Sequence, residues 1–274
     1  MGKKLFPTSS RQSRFFAAMM LLFTAVFLAL IIGLILTGIF YIDRSVMIDI
    51  ITSVPFRKAL WLTVWTSCAA TAISLLFAIP VGFALSRIRF FGRMFADTLV
   101  DLPIVFPPLA AAVILLIFLT KTPPGKSVAG EMDIRFFFQP TGIIICQFIA
   151  AASFAIRSAK TAFDEVDIRA EQVSLTLGCS KWGSFRYVTL PLAANGIIAG
   201  GILTWARSFG LFGPLLILAG TFSGATEDLG TTKYLDRSID DPQTAVAAAL
   251  LMIFIALLSL LTIRSISEST VEKS

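Results

Sequence analysis

Apolar residues run nearly unbroken over six stretches of the chain: Phe15 to Ile42, Ala59 to Leu85, Leu102 to Thr120, Thr141 to Ala162, Leu192 to Ala219 and Thr244 to Ile263. A helix needs about 20 apolar residues to cross the hydrocarbon of a bilayer, so each stretch has roughly the length of a spanning helix. The pattern predicts an all-α integral membrane protein with six transmembrane helices, and an even number of spans leaves both termini on one side. The chain divides accordingly into a tail over 1–14, a first transmembrane helix over 15–42, a core over 59–263 with the other five helices, and a tail over 264–274. The first run exceeds the apolar core of a secretory signal, about 7–15 residues, and reads as a span. Gly2 is not a myristoylation site, because Phe6 stands where Ser or Thr is needed.

Between the fourth and fifth runs the pattern changes. Over residues 163–191 the chain is polar and charged but keeps a helical period: Val166, Ala170, Val173 and Leu177 recur at steps of four, three and four, with Asp164, Glu165, Asp167, Arg169 and Glu171 on the other faces. Gly178 stops that helix. Ser180 is placed to cap a second, in which Trp182, Phe185 and Val188 form a short stripe ending before Pro191. A loop this long with internal structure is functional rather than connective.

Other candidates lie at the ends of the runs. The third begins DLPIVFPP, and Pro103, Pro107 and Pro108 break regular hydrogen bonding there. Such a break is tolerated in a membrane only against protein or a water-filled path, so the stretch reads either as a pathway-lining entrance or as a plain helix start. The polar loop from Lys121 to Pro140 contains PPGKS, part of a phosphate-binding loop, but the glycine required five residues before Gly125 is replaced by Thr120, so ATP is not bound there. Arg157 and Lys160 sit near the end of the fourth run, where basic side chains snorkel to the interface. Arg207 is the one charge deep in a run, about fifteen residues or roughly 22 Å along the fifth helix. It could attract an anion in transit or pair with a carboxylate or carbonyl of a neighbouring span. Gly196, Gly200 and Gly201 form a small-residue face, suited to packing within one bundle or against a second membrane subunit.

Composition agrees with a membrane protein: 56% of residues are hydrophobic and 15% charged, against about 45–50% and 25% in soluble domains, and the mean hydropathy is +0.84. The net charge of +6 is explained by the bias of cytoplasmic loops toward Lys and Arg rather than by nucleic acid. With both termini cytoplasmic, that side carries the larger share of the 23 Lys and Arg residues, which also places the 163–191 loop in the cytoplasm. Cys68, Cys146 and Cys179 are odd in number and lack metal-binding spacing. The absence of histidine removes the commonest general base and metal ligand, and with it most hydrolase and metalloenzyme functions.

The cytoplasmic loop resembles the EAA loop of binding-protein-dependent ABC importer permeases. Gly178, Val188 and the pair Leu190 and Pro191 match that pattern at the right spacing. The start departs from it, with Gln172 at the usual glutamate position, Glu171 before it, and Val173 and Ser174 in place of two alanines. The resemblance covers most of residues 59–263. In the fifth run, Ala206, Arg207, Gly210, Phe212 and Gly213 are similar to a pattern of molybdate, tungstate and sulfate permeases, with Leu211 in place of its glutamate.

The resemblance implies a type I ABC importer permease fold with a cytoplasmic coupling helix, in the cell (inner) membrane. It implies an oxyanion path and no catalytic residue, cofactor or metal in this chain, ATP and Mg being bound by partner ATPase subunits. The other implied partners are a second permease, identical or not, an extracytoplasmic solute-binding protein and membrane lipid. Glu171, Gln172, Gly178, Trp182, Leu190 and Pro191 would couple to the ATPase; Arg207 and Pro103, Pro107 and Pro108 would line the path. Two alternatives remain at this point: a carrier driven by an ion gradient, and an ABC permease for a different solute such as iron or polyamine.

Overall fold

A computed structural model of the chain describes residues 11–105, 108–131, 140–211 and 242–271. Every regular element among them is helical: α1 (Arg11–Tyr41), α2 (Arg44–Thr52), α3 (Val54–Arg87), α4 (Arg93–Val105), α5 (Pro108–Lys121), α6 (Pro123–Glu131), α7 (Pro140–Glu165), α8 (Ile168–Thr176), α9 (Lys181–Ser184), a π-helical turn (Phe185–Thr189), α10 (Leu190–Phe209) and α11 (Pro242–Val271).

Five stretches are long and apolar enough to cross a membrane: Arg14–Tyr41, Phe56–Arg87, Pro140–Glu165, Lys181–Phe209 and Pro242–Ser259. The third apolar run is not among them. Its described residues fall in α4, which starts at Arg93 and contains Pro103, and α5, which starts at Pro108. A proline lacks the N–H that would bond one turn back, which disfavours Pro103 inside a helix and suits Pro108 to the start of one. Pro107 lies outside the described residues, as do Phe212, Gly213 and the polar segment before Pro242.

Other boundaries also moved. The connection predicted as polar chain from Asp43 to Lys58 contains α2 and the start of α3, and the loop with PPGKS contains α6, whose entry is capped by Thr122 Oγ1 accepting from the Gly125 N–H at 3.2 Å. The fifth segment begins at Lys181 rather than Leu192, because the chain stays helical through Pro191.

The chain forms two units. The first contains α1, α2 and the beginning of α11; α1 exposes apolar side chains along its whole length, as a helix facing lipid does. The second contains α3 to α10 and the rest of α11, and its centre is the mutual packing of α3, α7 and α10. Lipid tails are as apolar as leucine, so these helices gain from close contact more than from hiding apolar surface. The residues at the contact are accordingly small: Ala78, Ala155, Ala159, Ala162 and Ala193 surround Phe163 and Ile197. Thr66, Ser67 and Ser74 of α3 are fully buried, with hydroxyls donating to carbonyls of the preceding turn.

Glycines set the helix spacing. A Cβ on Gly200 would lie 2.2 Å from Ser158 Cβ, one on Gly196 would lie 2.5 Å from Ala162 Cβ, and one on Gly82 would lie 2.9 Å from the Lys160 backbone nitrogen. The small-residue face of the fifth segment is thus used inside the subunit, against α7. Gly200→Ala is expected to cost about 1–3 kcal/mol through overpacking, read as a lower melting temperature of the purified protein. Gly33→Ala, where nothing lies within 4 Å, should leave it unchanged or raise it.

Candidate functional site, an anchored helical hairpin

The segment after α7 folds as two short helices, and each boundary has an identifiable cause. Asp167 caps α8, its carboxylate accepting from the Arg169 N–H at 2.9 Å. Gly178 ends it with φ at +93°: its N–H donates to Leu175 O and the Cys179 N–H donates to Ser174 O, both at 3.1 Å, a left-handed closure that consumes two orphan carbonyls. Nothing lies near the missing Cβ, so glycine is required there by conformation and not by space. Ser180 caps α9 through a 3.0 Å bond from the Gly183 N–H.

The second helix does not end before Pro191, as its stripe suggested. The π-helical turn continues it, with the Leu190 N–H donating to Phe185 O, and Pro191 enters the first turn of α10. Proline cannot bond back to the preceding turn, and the wider π turn accommodates the missing donor without stopping the helix. From Lys181 to Phe209 the chain is one continuous helical rod.

The hairpin is pinned to α3 and α7 by polar and aromatic contacts. Arg87, in the last turn of α3, donates from Nε to Glu171 Oε1 at 2.9 Å and from Nη2 to Val166 O at 2.7 Å. It thus closes the carboxyl end of α7 and holds the first turn of α8 at once. Ser86 Oγ donates to Asp164 Oδ1 at 2.5 Å. Ser174 and Ser184, both buried, are joined through their hydroxyls at 2.6 Å, which ties α8 to α9. Phe83, Phe163 and Phe185 meet at ring-centroid distances of 4.8 to 6.2 Å, and Trp182 stacks at a tilt on Phe185 at 5.5 Å.

These contacts rotate α8 so that Glu171 and Ser174 face the bundle. Ile168, Val173, Leu177 and Trp182 face outward, with Leu177 80% and Trp182 66% exposed. Of the residues singled out from sequence, Gln172 and Trp182 are at the surface, Gly178, Leu190 and Pro191 shape the backbone, and Glu171 is turned inward to Arg87. Sequence reasoning missed Arg87 as its partner; a basic residue in the turn after the second apolar run was the available signal.

Arg207 is also placed differently from expectation. Because α10 ends at Phe209, it stands in the last turn of that helix, exposed, with its guanidinium 5.8 Å from the centroid of the Phe154 ring. It has no carboxylate partner among the described residues. Leu211 is buried in a small apolar cluster with Ala150, Ile143 and Cys146. Next to it, Gln147 is fully buried and donates from Nε2 to Ser208 O at 3.3 Å, leaving its Oε1 and Ser208 Oγ without partners among the described residues. Pro103 lies within α4 and Pro108 opens α5. Nothing brings Arg207 and these prolines into one described site. Arg157 pairs with Asp97 and Asp101, and Lys160 lies 3.5 Å from Asp164.

The family model of the binding-protein-dependent transport system inner membrane component matches residues 74–273. The chain belongs to this family. The permease is 29% identical over 207 residues to the molybdenum transport system permease protein ModB of Escherichia coli K12, covering 73% of this chain and 90% of that protein. It is 30% identical over 244 residues to ModB of Mycobacterium tuberculosis, covering 86% and 91%. A probable molybdenum ABC transporter permease of Haloferax volcanii is 39% identical over 150 residues, which span 55% of this chain and 54% of the relative. Among solved structures, a bacterial alginate ABC transporter chain superposes with a TM-score of 0.70 at 16% identity over 94% of this permease and 96% of that chain. A chain of the MetNI methionine transporter does so with 0.58 at 19% identity over 80% and 99%. At these identities the likeness shows the fold alone: all-α, largely membrane-spanning and permease-like.

Arg87 and Glu171 are both largely covered, so their pairing is expected to contribute measurably to hairpin stability. A double-mutant cycle of Arg87→Ala and Glu171→Ala should give a coupling energy of about 1–3 kcal/mol in thermal or denaturant unfolding. Gly178→Ala should cost about 1–2 kcal/mol for the left-handed backbone, and Gly178→Asn less.

Proposed function

We propose that this permease forms half of the translocation path of an ATP-driven importer for an oxyanion of the molybdate and tungstate class. It would act as one half of a permease dimer, with ATP-binding subunits docked on the hairpin and an extracytoplasmic binding protein delivering the solute. α4 and α5 together make the sixth span, both termini face the cytoplasm, and residues 59–263 form the core. ATP and Mg are bound by the partner and not by this chain.

One observation carries the reading: the hairpin offers apolar side chains, led by Leu177 and Trp182, on a backbone fixed at Gly178, Ser180 and Arg87. A rigid amphipathic helical surface of this kind suits a groove in a soluble subunit. Within it, Gln172, Leu177 and Trp182 make the contact, Gly178, Leu190 and Pro191 set its shape, and Glu171 anchors it through Arg87. The continuous rod from Lys181 to Phe209 then carries motion of the hairpin into a span. The oxyanion class is supported by the ModB relatives, which are molybdenum transport system permeases, and by Arg207, a cation without a carboxylate partner among the described residues. Arg207, Pro103, Pro107 and Pro108 are assigned to the path on this reading.

Purification with native partners should recover an ATPase. Leu177→Asp combined with Trp182→Ala should release it while the permease stays folded in the membrane, and ATPase retention by that variant would refute the docking surface. In uptake competition, molybdate and tungstate should displace each other, with sulfate and thiosulfate about tenfold weaker or worse, a difference of ~1.4 kcal/mol. Equal competition by sulfate would refute the narrower class.

A further inference from the structure

α4 contains no buried residue, although it packs on α7. Its Met94, Phe95, Leu99 and Val105 side chains are open to the surroundings. What holds the helix is charge. Asp97 and Asp101 are one turn apart and share a face, and both accept hydrogen bonds from Arg157 of α7. Arg157 Nη1 donates to Asp97 Oδ1 at 2.7 Å, and Nη2 donates to the Asp97 carbonyl at 2.8 Å. Nε and Nη2 together fork onto the two carboxylate oxygens of Asp101. One planar guanidinium thus addresses two carboxylates and a backbone oxygen, a geometry that a lysine ammonium cannot reproduce.

We infer that Arg157 is a positioning residue for transport, docking α4 on α7 and so fixing the position of the helix that precedes α5. It acts through α4 and does not touch the solute. Removing the guanidinium leaves two like charges one turn apart with no counter-ion from α7. They repel one another and seek water, and α4 has no buried apolar side chain to keep it in place. The role in transport rests on the permease reading above; the docking of α4 does not.

Hydrogen exchange of the purified full chain in lipid nanodiscs, paired with uptake and ATP hydrolysis by the assembled transporter, tests the inference. Arg157→Ala should speed amide exchange in α4 by about ten- to a hundredfold, the factor expected when charged hydrogen bonds are lost, with α10 unchanged. Arg157→Lys should fall between, and the swap of Arg157→Asp with Asp101→Arg should recover much of the protection. In the transporter, Arg157→Ala should lower solute moved per ATP hydrolysed while hydrolysis continues. If Arg157→Ala does not accumulate, Asp101→Asn and Arg157→Lys make the same comparison. Unchanged exchange in α4 overturns the inference, and so does an equal rise in every helix, which would make Arg157 a general stability residue. An uptake ratio equal to wild type with α4 loosened overturns the role in transport. Absence of uptake in the wild type refutes the permease reading, and the exchange pattern still decides the docking of α4.

Discussion

The close approach of α7 to α3 and α10 is the constraint on which the second unit depends. At Gly82, Gly196 and Gly200 there is no room for even a methyl group. Packing at that distance multiplies weak dispersion contacts, the main attraction left to helices already surrounded by apolar lipid. It also leaves little freedom to slide, because displacement along α7 would drive Ser158 or Ala162 into a neighbouring turn of α10. The three helices therefore behave as one body, and elements attached to them inherit fixed positions.

The hairpin is attached to that body at both ends. Arg87 holds the junction of α7 and α8 from α3, and the rings of Phe83, Phe163 and Phe185 bring all three sides together beneath the second helix. At its far end the hairpin has no joint at all, since the π-helical turn passes directly into α10. A force applied to Trp182 is borne by a helix that also carries Gly196 and Gly200 against α7. A turn that keeps Pro191 within the helix, rather than letting it break the chain, makes this junction rigid.

Membrane spans and the hairpin were legible in the sequence because each is written in local pattern: apolar length for the spans, and Asp167, Gly178 and Ser180 for the caps. The coarse fold and the family follow from those features. What escaped was everything set by contact between segments. Glu171 reads as a surface carboxylate until Arg87, distant in sequence, is seen to meet it; Arg157 reads as an interfacial base until Asp97 and Asp101 are placed opposite. The direction of α8 escaped for a related reason. Apolar periodicity reports that a helix has two faces, and it takes the Ser174–Ser184 and Arg87–Glu171 bonds to decide that Glu171 and Ser174 turn inward while Val173 and Leu177 stay exposed.

The same distinction bears on Arg207. The related oxyanion-permease pattern has glutamate where this chain has Leu211, four residues after Arg207 and just past the end of α10. Here Leu211 is buried against Ala150, with Ile143 and Cys146 packed beside them. A carboxylate in that cluster would lose much of its hydration among apolar side chains. Leucine removes that cost, and among the described residues Arg207 meets the Phe154 ring, whose quadrupole attracts the guanidinium without cancelling its charge. Leu211 thus gives apolar packing on one side, and on the other Arg207 has no carboxylate partner among the described residues. A cation so placed attracts an anion and repels a cation.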